Sequence, residues 1–287
     1  MALDLDALRA LRLVARQTLT PRDVMLYALG VGLGADPLDE AQLRYVYEDG
    51  LQALPTLAIT LTYPPLLAAY VKAGADPARV LHGEQQFRLH GPLPLQAELE
   101  GETRVLGLVD KGPGRGLLVY NRTEVRDLGR GRPVATLSSS SLLLDEGGAG
   151  GDRSVPPPIE LPPLPARAPD HVCELATLPQ AALLYRLSGD DNPLHVLPAL
   201  ARAAGHPRPI LHGRCSFGVA GHAILRTVCG GDAARLAGMA ARFTAPVYPG
   251  ETLRTEIWRT EAGGVQFRTL VAGRGATALD RGFAELG

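Results

Sequence analysis

A stretch rich in glycine and proline interrupts the chain near its middle. Four glycines between positions 147 and 151 are followed by six prolines between positions 156 and 165. Glycine admits too many backbone conformations and proline lacks a backbone donor, so this stretch can be neither an ordinary helix nor a central strand. The sequence therefore predicts a surface linker at residues 151–168. It would join an N-terminal unit at 1–150 to a C-terminal unit at 169–287, each of single-domain size.

Composition narrows the kind of protein. The 287 residues are 46% hydrophobic and 21% charged, which predicts packed cores and excludes wholesale disorder. The 29 basic and 30 acidic side chains nearly cancel, and this balance argues against a nucleic-acid partner. No run approaches the roughly 20 apolar residues of a membrane span, so no membrane association is expected.

The N-terminus and the cysteines bear on location. The first residues include acids and have the pattern of an amphipathic helix, which is not typical of a signal peptide. Cys173, Cys215 and Cys229 form neither an even set nor a Cys-x-x-Cys pair. Reduced thiols and a cytoplasmic location are expected.

The two units show the same order of elements. In the C-terminal unit, helices are predicted over 196–204 and 216–228, and alternating apolar residues predict strands over 253–257 and 265–271. In the N-terminal unit the corresponding predictions are helices over 23–33 and 65–73, followed by strands over 105–110, 117–125 and 134–144. Helices precede strands in both units, which indicates an α+β fold and an internal duplication.

The densest cluster of reactive side chains lies between Asp190 and His195, which also includes Asn192. Pro193 biases the residue before it toward an extended conformation, so a loop is predicted here. A loop can turn a carboxylate and an imidazole toward one point, where they form a general acid/base pair. The alternative is that Asp190 or Asn192 simply caps a helix.

Gly213 lies just before the apolar helix predicted at 216–228. A free backbone N–H at a helix N-terminus can donate to a developing oxyanion, although a glycine at a tight turn is the commoner role. His212 and Cys215 lack a second pair of ligands at suitable spacing, so no metal site is expected. The glycine-rich runs at 30–34 and 112–116 lack the strand–glycine–helix context of dinucleotide binding, and no cofactor is expected.

Together these segments resemble the (3R)-specific 2-enoyl-CoA hydratases of the hydratase 2 type, in the MaoC-like dehydratase family. The resemblance rests on segments spread over nearly the whole chain: 27–32, 47–48, 54–56, 81–85, 185–195, 209–218, 241–243 and 246–250. It implies a double hot-dog fold, in which each half is a long central helix wrapped by an antiparallel sheet. It also implies that only the C-terminal half carries the catalytic loop.

The resemblance assigns roles by matching position. Asp190 and His195 would hold and activate water, the Gly213 N–H would stabilise the thioester oxyanion, and Asn192 would support the loop. Glu48 matches a glutamate important to activity, and its alternative is a buried partner of an arginine or histidine. Residues that would bind the CoA thioester are His82, Gly83, Lys111 and Phe243. For Lys111, a solvated charge on a hairpin is an equal alternative.

Some positions depart from the family pattern. Asp191 replaces a frequent aromatic residue, Leu197 replaces an aspartate, Arg214 replaces an apolar residue, and 58–78 lacks a glycine-rich stretch. The predicted function is reversible hydration of trans-2-enoyl-CoA by a monomer or homodimer. The alternatives are a dehydratase for a branched, sterol-side-chain or dicarboxylic acyl-CoA, and a non-catalytic acyl-CoA-binding subunit.

Overall fold

A computed structural model describes residues 3–152 and 157–287 of the protein. Its central feature is a single antiparallel sheet of ten strands. The strands are β1 Arg12–Leu19, β2 Val80–Leu89, β3 Ala97–Asp110, β4 Leu117–Asp127, β5 Arg132–Leu143, β6 His171–Ala176, β7 Leu236–Phe243, β8 Thr252–Arg259, β9 Val265–Val271 and β10 Thr277–Leu286. Across the sheet they follow the order β1-β3-β4-β5-β2-β7-β10-β9-β8-β6.

This order repeats the same five-strand unit twice. In each half the first strand is followed in space by the third, fourth, fifth and second, and the two second strands, β2 and β7, meet at the middle. The β2–β7 pairing runs from Glu84 opposite Arg242 to Arg88 opposite Gly238. The predicted internal duplication is confirmed by this shared order, and the α+β double hot dog is the observed fold.

The helices lie between the first and second strands of each half, apart from a short one at the N-terminus. They are α1 Leu5–Arg9, α2 Pro21–Gly30, α3 Leu43–Val46, α4 Leu66–Lys72, α5 Ala181–Tyr185, α6 Pro198–Ala203 and α7 Gly213–Thr227. Within the described residues, no helix is long and apolar enough to cross a membrane. The start of α2 shows why a helix forms there: Thr20 and Asp23 make a reciprocal capping box, and Pro21 occupies the first helical turn.

Helix α7 is the central helix of the C-terminal half and is buried from Arg214 to Leu225. Two glycines allow the N-terminal half to approach it closely. A Cβ on Gly218 would lie 2.6 Å from Val31 Cγ1 and 2.7 Å from Tyr27 Oη, and one on Gly221 would collide with Thr56. The helix therefore packs against both halves of the molecule.

The N-terminal half departs from the expected long central helix. At the equivalent place the chain forms a buried 3₁₀ helix at Pro55–Thr60, breaks, and resumes as α4. Thr62 has a φ of 48°, which an α-helix cannot contain, and Pro64 and Pro65 supply no backbone donors. The break leaves Tyr63 in irregular backbone between the two helical segments.

The linker runs against the sheet. Ile159 is only 3% exposed, and the Pro163 carbonyl accepts a hydrogen bond of 2.8 Å from Gln266 Nε2. Residues 153–156 of the predicted linker, and 1–2 of the predicted N-terminal helix, lie outside the described residues. The unit boundaries at 151 and 168 stay predictions.

Candidate active site

The Asp190–His195 segment is an irregular loop that ends in one 3₁₀ turn at Pro193–His195. Gly189 precedes it with a φ of 111°, a conformation that favours glycine. Asn192 caps the turn, because its side-chain oxygen accepts a hydrogen bond of 3.0 Å from the Leu194 N–H. Asn192 therefore stabilises the conformation of the loop, and a capping role is typical of asparagine.

His195 is held in one tautomer. The ring is 9% exposed, and its Nδ1 lies 2.9 Å from the carbonyl oxygen of Ile210. Because a carbonyl only accepts, Nδ1 must carry the hydrogen, and Nε2 of the neutral ring keeps its lone pair. Burial lowers the pKa of His195 below its usual value, against the opposing effects of the Ile210 carbonyl and Asp190. At neutral pH His195 is a free base with Nε2 as its acceptor.

His212 stacks on His195, with ring centroids 3.7 Å apart. Its Nε2 donates a hydrogen bond of 3.1 Å to the backbone carbonyl of Asp190 and so ties the loop to the start of α7. Burial, together with His195, lowers the pKa of His212 to about 3, so this ring is neutral as well. Side-chain ligand atoms of Asp190, His195 and His212 all lie within 4.8 Å of one another.

Asp190 is the acidic member of the cluster. Its burial alone would raise the pKa, but His212, Arg214, His195 and the Asn192 N–H favour the carboxylate and hold the pKa below its ordinary value. The site thus pairs an ionised carboxylate with an unprotonated imidazole. Such a pair can orient a water molecule and accept a proton from it.

Gly213 is the first residue of the 15-residue helix α7. The first N–H groups of a helix have no acceptor within it, and they carry the positive end of the helix dipole. A Cβ at Gly213 would lie 3.1 Å from Phe243 Cδ1, so a larger residue would press on that ring. Gly213 therefore offers an N–H donor directly beside Phe243.

Two strands from different halves supply the other predicted binding residues. His82 on β2 packs against Phe243 on β7 with ring centroids 4.5 Å apart, and His82 Nε2 donates to the Glu84 carbonyl at 3.1 Å. Burial and then the charge of Arg214 lower the pKa of His82 to about 3. Gly83 lies at a register shift of β2, where a Cβ would be 2.7 Å from Ser140 Oγ. The β2–β7 seam thus brings His82, Gly83 and Phe243 together.

A groove of about 1390 Å³ extends from this seam. Gly83 and Phe243 line it, and so do Lys111 and residues 157–162 of the linker. Its remaining basic side chains are Arg88, His90, Arg122 and Arg242. Four glutamates line it as well: Glu84, Glu124, Glu160 and Glu285. Because Glu84 pairs with Arg242 and Glu285 with Arg88, Lys111 and Arg122 are the groove cations without an ion pair among the described residues, and they are suited to a ligand phosphate.

The structure does not bring Glu48 to this cluster. Glu48 follows α3, is exposed, and within the described residues its carboxylate makes no hydrogen bond or ion pair. The chain leaves α3 in an extended conformation at Tyr47, which directs this segment away from the core. Exposure contradicts the alternative of a buried partner, and the activity role of Glu48 stays a prediction. Asp191 and Leu197 are also exposed, so both departures from the family pattern face solvent.

A metal ion fits the cluster poorly. Asp190, His195 and His212 could each offer one ligand atom. A bound metal lies in the plane of each imidazole that holds it, whereas these two rings are stacked with an interplanar angle of 30°. Stacked rings direct their lone pairs side by side instead of toward a common point. The donor set is better suited to proton transfer than to metal binding.

The sequence did not predict the contacts that two side chains of the site, His212 and Tyr63, make with the Asp190 loop. His212 was considered only as a metal ligand, although its position next to Gly213 could have indicated a role in the loop. Tyr63 donates a hydrogen bond of 3.2 Å from its hydroxyl to Asp190 Oδ2, across 127 positions of sequence. No local pattern around Tyr63 predicts that contact.

The fold and the site define a class, a double hot dog whose C-terminal half carries one acid/base loop. Comparison with known proteins identifies the family. Residues 160–278 match the MaoC like domain family, and residues 18–144 match the MFE-2 hydratase 2 N-terminal domain family. The chain belongs to the MaoC-like dehydratases of the enoyl-CoA hydratase 2 type, as the sequence motifs predicted.

Relatives match along nearly the whole chain. 3-hydroxyacyl-thioester dehydratase Y of Mycobacterium tuberculosis is 43% identical, over 99% of both proteins. The peroxisomal enoyl-CoA hydratase 2 of Arabidopsis thaliana is 39% identical, over 92% of this chain and 89% of the relative. The crystal structure of a MaoC-like dehydratase from Phytophthora capsici has a TM-score of 0.84 and 34% identity, over 99% of this chain and 98% of that one.

Proposed function

We propose that the protein is a hydro-lyase that reversibly adds water to trans-2-enoyl-CoA thioesters and forms (3R)-3-hydroxyacyl-CoA. The observation that supports this most directly is the cluster itself. An ionised Asp190, a neutral His195 with a free Nε2 and the N–H of Gly213 lie together beside the seam end of the groove. The relatives named enoyl-CoA hydratase 2 and 3-hydroxyacyl-thioester dehydratase support the same reaction.

The reaction follows from the polarity of the substrate. The thioester carbonyl makes C3 electrophilic, and a water held by Asp190 and His195 attacks it while one of the two groups accepts a proton. Negative charge then builds on the thioester oxygen, where the Gly213 N–H and the dipole of α7 would stabilise it by about 3 kcal/mol. The group that accepted the proton returns it to C2, so the net change is addition of H and OH.

The substrate's other end has a matching surface. His82, Gly83 and Phe243 would contact the thioester, and the neutral state of His82 avoids an unpaired charge beside it. Lys111 and Arg122 would pair with the phosphates of CoA. A CoA thioester would thus lie along the groove with its acyl group toward α7.

The test follows the ultraviolet absorbance of the enoyl thioester and analyses the chirality of the product. Crotonyl-CoA, a medium-chain and a branched enoyl-CoA are supplied, because the chemistry at C2 and C3 is common to all three. Loss of absorbance with a (3R) alcohol supports the proposal, and the best substrate begins to define the acyl pocket. Release of free thiol without hydration would indicate a thioesterase and overturn it.

Several expectations from the sequence stay predictions. These are the absence of a nucleic-acid partner, the monomeric or homodimeric state, and the cytoplasmic location.

A further inference from the structure

Tyr63, in the N-terminal half, forms a hydrogen bond with Asp190 in the loop of the C-terminal half. Its hydroxyl lies 3.2 Å from Asp190 Oδ2. Burial raises the pKa of Tyr63, so the hydroxyl keeps its proton and donates to the carboxylate. The break in the N-terminal central helix, with Thr62 at a positive φ and Pro64 next in sequence, places the residue there.

Arg214 holds the other side of Tyr63. This residue lies in the first turn of α7, is 8% exposed, and has its guanidinium carbon 4.5 Å from the centre of the Tyr63 ring. One terminal nitrogen donates to the Ile59 carbonyl at 3.2 Å. Within the described residues, Arg214 has no salt bridge, and its Nε has no hydrogen-bond partner. A buried guanidinium is costly unless nearby electrons or charge offset it, and here the ring face and Asp190 do so.

At neutral pH, where the neighbouring histidines are uncharged, Arg214 is the most buried positive charge that acts on Asp190. The titratable and charged groups that act on this cluster are Tyr63, His82, Tyr185, Arg186, Asp191, His195, His206, His212 and Arg214. Burial keeps His82, His195 and His212 neutral at pH 7, and the tyrosines carry no charge. Arg186 is less buried than Arg214, so water screens its charge more strongly.

We propose that Tyr63 and Arg214 are positioning residues for Asp190: the hydroxyl fixes one carboxylate oxygen, and the guanidinium fixes the tyrosine ring and favours the anion. The value of this arrangement for turnover rests on the proposed function. The contacts themselves do not, because they connect side chains of the free protein. The N-terminal half thereby takes part in the chemistry of a loop that belongs to the C-terminal half.

The direct test is a carbon-13 NMR titration of protein labelled at the aspartate side-chain carboxyl, with Asp190 assigned by Asp190→Asn. The titration is followed over the pH range in which circular dichroism shows the fold intact. In Arg214→Leu the protonation of Asp190 should shift upward by about one pH unit or more, and in Tyr63→Phe by a smaller amount. Arg214→Lys keeps the charge and should stay near the parent value.

Two matched controls separate positioning from general damage. Tyr70→Phe removes another buried hydroxyl of the same region, one that contacts Ser141 and Asn121. Arg226→Leu removes an arginine from the far end of the same helix. Neither should move Asp190. A midpoint that stays in place in both Tyr63→Phe and Arg214→Leu would overturn the proposal.

Kinetics supply the second readout. Tyr63→Phe should lower kcat roughly tenfold or more with KM nearly unchanged, because its hydroxyl contacts Asp190 and not the substrate. Combined with Arg214→Leu, the loss should be smaller than the product of the two, since both act on one carboxylate. A loss confined to KM would contradict positioning. If the parent protein hydrates no enoyl-CoA, the proposed function fails while the titration still decides this inference.

Discussion

The two halves share a sheet and differ in what lies under it. Their strands follow the same spatial order, and each half has a buried threonine pair between its third and fourth strands: Thr103 with Thr123, and Thr255 with Thr269, at 2.7 and 3.1 Å. The segment between the first and second strands is different. The C-terminal half has the continuous helix α7 preceded by the Asp190 loop, and the N-terminal half has a 3₁₀ helix, a break and α4.

Under the proposed function, this comparison places the acid/base residues in the connecting segment of one half. The sheet has the same strand order in both halves. The segment between the first and second strands differs, and in the C-terminal half alone it carries the proposed acid/base pair. The C-terminal half presents the N–H of Gly213, the first residue of α7, next to the His212 that is bonded to the Asp190 loop. The interrupted segment of the other half gives up that feature and positions Tyr63 instead.

The largest expected effect is on the loop of the C-terminal half. Asp190→Asn and His195→Gln should each lower hydration at least about a hundredfold, because each removes one member of the acid/base pair. Circular dichroism should show an unchanged fold. Asp191→Asn is the matched control, since its carboxylate is adjacent but exposed, and its activity should remain near normal. Equal losses at positions 190 and 191 would contradict the assignment.

The second-largest expected effect is on stability, through the packing of α7 against the N-terminal half. Gly218→Ala places a Cβ against Val31 and Tyr27, and overpacking of this kind costs about 1–3 kcal/mol. Better helix propensity returns up to about 1 kcal/mol, so the free energy of unfolding should fall by a net amount of up to about 2 kcal/mol. Urea denaturation measures the change. Gly273→Ala, where an added Cβ meets nothing within 4 Å, should be neutral.

Stability should also fall with acid through two histidines of the C-terminal half. Burial lowers the pKa of His212 to about 3 and that of His222 to about 4. The unfolded chain protonates them near pH 6.5, so it binds more protons than the folded one below that pH. Each should therefore lower the free energy of unfolding by about 1.4 kcal/mol per pH unit as pH drops from 6.5 toward 4.

Denaturation at pH 7, 6 and 5 measures this slope. His222→Gln should make it shallower, whereas His90→Gln alters an exposed side chain and should not. An unchanged slope in His222→Gln would mean that this histidine is not protonated on unfolding.

The smallest expected effect concerns the groove. Lys111→Gln should raise KM for an enoyl-CoA a few fold at low salt with little change in kcat, because an exposed cation contributes about 1 kcal/mol or less. Added salt should remove the difference. The only other lysine, Lys72, is exposed on α4 and outside the residues that line the groove, so Lys72→Gln should leave KM unchanged.

Sequence patterns predicted the parts of the fold that are regular along the chain. Helix α7 and strands β8 and β9 came from apolar periodicity, and their observed bounds extend the predicted ones by a few residues at most. Strands β1 and β6 were missed because edge strands pair on one side only and carry many polar residues. Strands β2 and β7 were missed as well, since their pairing with each other is a contact between distant parts of the sequence.

The site divides in the same way. Asp190, Asn192 and His195 lie within six residues, and Gly213 follows in a second motif, so local sequence could suggest them together. The contact of Tyr63 with Asp190 and that of Arg214 with Ile59 span 127 and 155 positions. They depend on the break after Thr60, which no periodicity marks, and only the folded chain brings these side chains together.

The linker along the groove has a consequence for symmetry. In a homodimer every substitution is present in both subunits, so equivalent positions of the two subunits cannot differ in sequence. Here a single chain spans both halves, and residues 157–163 join them while walling the groove. One half is thereby free to lose its continuous helix while the other keeps it. The strands of the sheet keep the pseudo-twofold symmetry that relates the two halves, whereas the connecting segments, including the one that holds the proposed catalytic loop, do not.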